Sequence, residues 1–163
     1  MFTAVNEQYG AIWGMHMNGY LLWRAANLWQ RTIRVVLSPH GITPVQFLLL
    51  SGLHELGNTD TGPVTQSVLA NHCGTDPMMT SQVLRILEKA GLVRRATHDG
   101  DKRAVAVAIS ESGTALVNRV DAEVRDTDER FHAPLSEHSE TFGDALQLLN
   151  GIKPRRRVRA NSG

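Results

Sequence analysis

Apolar residues recur early in the chain at Ile12, Met15, Leu22, Ala26, Trp29, Ile33 and Val36. Steps of three, four and seven predict one long amphipathic helix over residues 8–37. Ser38-Pro39-His40-Gly41 stops it. Thr43, followed by Pro44 at a first helical position, opens a second helix over 45–56, and its run of leucines predicts burial. Residues 57–63 are rich in turn formers and read as a loop. Thr65 caps a short third helix over 66–71, with Val68 and Leu69 expected to face inward. Asp76-Pro77 starts a fourth helix, which Ala90-Gly91 closes. Two strands follow, at about 92–97 and 103–109, joined by an Asp-Gly turn. Ser110 caps a fifth helix carrying Ala115, Leu116, Val120 and Val124. Pro134 interrupts that pattern, and a last helix over 136–150 holds Phe142, Leu146 and Leu149.

The third and fourth helices are separated only by His72 to Thr75, with Gly74 inside the turn, which is the spacing of a helix-turn-helix. Such a unit reads DNA through the outward face of its second helix. At about 100° per residue, Met79, Val83, Ile86, Leu87 and Ala90 share one sector of the fourth helix, the expected core face. Met78, Ser81 and Arg85 fall opposite, with Gln82 and Thr80 at the two borders. Side chains of this kind near a helix N-terminus suit a major groove. Gln82 can pair with adenine, Ser81 and Thr80 can bond a base or a phosphate, and Arg85 can reach guanine or the backbone. The N–H groups at the helix start would also suit a phosphate.

Charge sharpens this picture. The net charge is only +1, yet it is unevenly spread: +2 over residues 1–40, −2 over 41–74, +2 over 75–110, −6 over 111–152 and +5 over 153–163. The basic segments are the ones suited to a polyanion. Arg94, Arg95, Lys102 and Arg103 all enter the predicted hairpin. The tail from Lys153, nearly free of apolar residues, is expected to be disordered and available for phosphate contacts.

In order and spacing the motifs resemble those of the MarR (multiple antibiotic resistance regulator) family, strongly over about Thr43 to Leu116. Leu87-Glu88-Lys89-Ala90-Gly91-Leu92-Val93 is similar to the family's ending of the recognition helix. Asp101-Lys102-Arg103-Ala104-Val105-Ala106-Val107 is similar to its wing, Ile109-Ser110-Glu111-Ser112-Gly113 to the start of its next helix, and Leu69-Ala70 to a pair in the third helix. The resemblance implies a mainly α fold with a small antiparallel β wing: a winged helix-turn-helix at 41–110, N-terminal (1–40) and C-terminal (111–152) dimerisation helices, and the basic tail at 153–163. It implies a homodimeric transcription regulator, most often a repressor, on a pseudo-palindromic double-stranded DNA operator. DNA-binding residues would be Met78, Thr80, Ser81, Gln82, Arg85, Arg94, Lys102 and Arg103. Arg103 would enter a minor groove, and Asp101 would hold an arginine in place, with Arg85 as a partner. A small-molecule effector would bind between the dimer helices and the winged domain, where Trp13, His16, Tyr20 and Trp23 are the aromatic candidates.

Other function classes find less in the chain. There is no phosphate-cradling glycine loop or nucleophile elbow to suggest an enzyme. No cofactor is expected. The histidines form no tight pair, so no metal site is expected. Cys73, the single cysteine, excludes an internal disulfide and reads as a small apolar plug ahead of a redox sensor. No apolar run reaches the length of a membrane span, and no secretion signal opens the chain, so a cytoplasmic location is expected. The alternatives are a winged helix that binds protein and not DNA, and a metal- or redox-sensing regulator of the same fold.

Overall fold

The computed structural model describes residues 17–59, 63–98 and 101–153; the side chains of Met17 and of residues 97, 98 and 101–104 lie outside that description. Trp13, His16, the first turns of the predicted 8–37 helix and the tail from Pro154 are therefore outside it too.

Helix α1 runs Met17–Leu37 and ends in a short 3-10 turn, Ser38–His40. Gly41, at φ 70°, reverses the chain in the left-handed region where a Cβ is unfavourable. Helix α2, Pro44–Gly57, starts with a full capping box: Gln46 N–H donates to Thr43 Oγ1, and Thr43 N–H donates to Gln46 Oε1. Helix α3, Gln66–Cys73, is capped by Thr65, and α4 spans Pro77–Lys89. Strands β1, Val93–His98, and β2, Asp101–Ile109, pair antiparallel with Val93 opposite Ile109, and the register shifts between Thr97 and His98. Helix α5 covers Glu111–His132, a 3-10 stretch covers Ala133–His138, and α6 covers Ser139–Leu149. Pro134 lies in that stretch, and Ser136 at φ 48° makes the kink.

The core gathers around α2. Its Leu49, Leu50 and Leu53 are buried against Leu69 of α3, Leu84 and Leu87 of α4, Val93 and Val107 of the hairpin, and Leu116, Val117 and Val120 of α5. Ile33 and Leu37 bring the end of α1 into the same cluster. Val107 N–H donates to Val64 O at 2.8 Å, and Thr65 bridges Ala106, so the segment before α3 extends the sheet edge.

One expectation about a face needs correcting. Val68 of α3 is exposed; Leu69 and Ala70 are the residues that turn inward. In α1, Leu21, Leu22, Trp23, Leu28 and Val35 are exposed. The end of α1 meets the core through Ile33 and Leu37, with Trp29 packed against its edge, and α5 lies alongside the helix.

Candidate nucleic-acid interface

The turn between α3 and α4 is built by its own chemistry. Gly74 sits at φ 62° and ψ 34°, and Thr75 N–H donates to Ala70 O at 2.9 Å, closing α3 in a glycine-dependent cap. Thr80, on the second turn of α4, points back into this corner. It is 0% exposed; its hydroxyl lies 2.7 Å from Thr75 Oγ1 and donates to Asp76 O at 2.8 Å. Thr80 is therefore spent on the corner between the two helices and presents no surface outward, where the sequence placed it at the border of the free face.

The face of α4 is rotated relative to the sequence expectation. The buried residues are Thr80, Val83, Leu84 and Leu87. Met79 and Ile86, expected in the core, are 37% and 54% exposed, and Met78 is 73% exposed. Ala90 is exposed as well. Counting hydrophobicity alone gave Met79 and Ile86 to the core and Thr80 to the border; the hydrogen bonds that satisfy a buried threonine do not show in an apolar pattern. On the exposed side, Met78, Gln82, Arg85 and Lys89 fall within about 60° of one another, and all four are exposed. Ser81 is half-buried on one flank. Lys89 was missed in the sequence because it follows Glu88 in a motif read as a helix ending.

The start of α4 also differs from expectation. Asp76 Oδ1 accepts the N–H of both Met78 and Met79, each at 2.9 Å, and Pro77 has no N–H. The helix N-terminus thus carries its own carboxylate, and the first N–H groups are not available to a phosphate.

The wing is fastened to α4 from the other side. Arg95 Nη1 lies 3.5 Å from Glu88 Oε2, and the Arg95 side chain is largely buried. Of the paired arginines, Arg95 is thus a structural strut and Arg94 the exposed one. Ser110 knots the hairpin to α5: its N–H donates to Leu92 O at 3.0 Å, its hydroxyl donates to Gly91 O at 2.7 Å, and Gly113 N–H donates back to that hydroxyl at 3.0 Å. A Cβ on Gly113 would lie 2.2 Å from Leu92 O, so only glycine admits this crossing. The side chains of Asp101, Lys102 and Arg103, and with them the expected Asp101–Arg85 pairing, lie outside the described residues.

The MarR family model matches residues 42–105. The uncharacterized HTH-type transcriptional regulator YdcH of Bacillus subtilis is 36% identical over 80% of this chain and 88% of its own length. The chain belongs to the MarR family. The HTH-type transcriptional repressor Rv2887 of Mycobacterium tuberculosis is 32% identical over 72% of this chain and 81% of its own. Structures of that protein include a complex with DNA (29% identity, 83% of this chain and 98% of that one, TM-score 0.59) and one with salicylic acid (31%, 83% and 97%, TM-score 0.61). A probable transcriptional regulator from Pseudomonas aeruginosa superposes with TM-score 0.72 at 28% identity, over 82% of this chain and 96% of that one. The protein is accordingly a winged helix-turn-helix regulator of transcription.

Away from the DNA-facing side, this MarR protein has an open groove of about 290 Å³ between α1, α5 and α6, lined mainly by Leu22, Trp29, Phe131, His132, Phe142 and Leu146. Trp29 Nε1–H donates to Asp128 Oδ1 at 2.7 Å across its floor, and His132 packs edge-on to Phe131. The aromatic candidates from the sequence are placed differently: Tyr20 and Trp23 stack on each other along α1, and neither lines the groove. Trp29, Phe131 and Phe142 were missed because they come from three separated segments. Cys73 is half-buried, with Sγ 3.7 Å from Leu48 O. Burial first, and the charge of Glu55 second, push its thiol above the ordinary range. Among the described residues, no group of three histidines, cysteines or carboxylates could hold a metal. No single described helix is long and apolar enough to cross a membrane.

Proposed function

We propose that the protein is a homodimeric, ligand-responsive repressor that binds a pseudo-palindromic operator, and that it is not an enzyme. One observation carries this reading: α4 leaves a face with Met78, Gln82, Arg85 and Lys89 exposed and its acidic residues already engaged, Asp76 at the cap and Glu88 with Arg95. Such a face complements the negative, acceptor-rich floor of a major groove. Ser81, Gln82 and Arg85 read bases or backbone, Arg94 and Lys102 add backbone contacts, and Arg103, supported by Asp101, takes the minor groove. Thr80 is left out of this set. Half-sites about 10 base pairs apart would match a two-fold protein.

Dimerisation is assigned to the segments 1–40 and 111–152, and DNA reading to the winged unit 41–110. The exposed apolar residues Leu21, Leu22, Trp23, Leu28, Leu148 and Leu149 support a second copy as the cover. The salicylic acid complex of the M. tuberculosis relative supports a small aromatic effector, and the groove beside Trp29 supplies a surface of matching chemistry. The regulator would act on DNA in the cytoplasm.

Footprinting on the DNA upstream of its own gene tests the proposal. Protection of two half-sites is the expected result; no protection at physiological salt overturns it. In the same assay Arg103→Ala lowers affinity by about 1–3 kcal/mol, and an unchanged midpoint would remove Arg103 from the interface.

A further inference from the structure

The exposed methionines and isoleucine of α4 have no role in a donor–acceptor code. We infer that Met79 and Ile86, with Met78, read thymine C5-methyl groups on either side of an adenine paired to Gln82. This deepens the proposed operator binding and rests on it.

Met78, Met79 and Ile86 are all more than one third exposed. Met79 and Ile86 are seven residues apart, two turns of helix, and lie on one flank about 10 Å from each other along the axis. Gln82 projects between them. Base pairs stack about 3.4 Å apart, so the two side chains bracket roughly three steps of a groove. The main apolar group that a major groove offers to such a side chain is the thymine C5-methyl. A protein partner would also cover an apolar strip, but this strip is bordered on its outer side by Gln82, with Lys89 and Arg85 beyond it around the helix, and no free carboxylate stands among them. A polyanion with embedded methyl groups fits both features of the face at once. An α4 with serine or asparagine at these positions would lose the methyl discrimination and keep the rest.

The full-length protein is used to select sites from a randomised duplex pool. Each thymine of the selected half-site is then replaced in turn by uracil, which removes the methyl and preserves the hydrogen bonds. Affinities are measured by fluorescence anisotropy for the native protein, Met79→Ala and Ile86→Ala. The expected result is a loss of about fourfold per methyl read, at one or two thymines flanking an A·T pair. That loss should vanish at one position in Met79→Ala and at another in Ile86→Ala, which is the signature of direct coupling. Uracil without effect on a site that still binds tightly overturns methyl reading and leaves operator binding intact. Equal uracil losses in variants and native protein also overturn it. A changed oligomeric state in Ile86→Ala, read by light scattering, would assign the strip to protein contact. A pool with no enriched sequence would overturn both this inference and the operator reading beneath it.

Discussion

Thr80 shows how one hydroxyl can mislead a reading of faces. By composition it belongs with Ser81 and Gln82; by geometry it fills the corner between α3 and α4 and bonds Thr75 and Asp76 O. Thr80→Ala leaves the Thr75 hydroxyl only its long bond to Ala70 O, at 3.5 Å, and should cost about 1–3 kcal/mol of stability, measured by urea unfolding. Its sequence preference on DNA should stay that of the native protein; a changed preference would return Thr80 to the interface. Gln82 and Arg85 were legible because a long polar side chain has no place in a core this small. Met79 and Ile86 were not, since an exposed apolar residue looks like a buried one until the fold is known. Cys73 belongs at this scale too. Its neighbours Gly52 and Leu69 leave it little room, with Sγ 2.6 Å from where a Gly52 Cβ would stand. Because the folded thiol titrates above its usual value, the alkylation rate should rise at higher pH than for the unfolded chain. Iodoacetamide kinetics across pH would check this, and fast labelling of the folded protein near neutrality would revive redox sensing.

At the scale of elements, the caps were the most legible feature. Thr43, Thr65, Asp76 and Ser110 each stand where a helix begins, and each bonds the N–H groups it should. Such signals are local, so no tertiary information is needed to read them. The groove beside Trp29 was illegible for the opposite reason: Leu22, Asp128 and Phe142 meet only after α5 folds back along α1. Gly113 sits between these extremes. The Ile109-Ser110-x-x-Gly113 spacing is visible in sequence, but the need for glycine comes from Leu92 O pressed against it. Gly113→Ala should destabilise the fold by about 1–3 kcal/mol, because backbone cannot move aside as a side-chain tip can. Thermal unfolding checks it; an unchanged midpoint would mean the hairpin root yields more easily than its hydrogen bonds suggest.

For the whole molecule, the governing fact is an apolar surface that one chain does not cover. Leu148 and Leu149 of α6 are exposed, as are Leu21, Leu22, Trp23 and Leu28 of α1. Leu148→Asp with Leu149→Asp should give monomers by light scattering and weaken operator binding about a hundredfold, as linked half-sites become separate events. Dimers that persist would place the interface elsewhere. The Ser110 knot then has a mechanical consequence. With Gly91, Leu92 and Gly113 tied together, α5 meets the DNA-reading unit without a hinge. From Gly113 to His132 the helix is about 30 Å long, with the groove at its far end. A tilt of about 5° there, by simple geometry on that length, displaces the reading unit by roughly 2.5 Å. Helix α5 would thus serve as a lever: a groove widened by a fraction of a side chain would move a recognition helix by most of a base step.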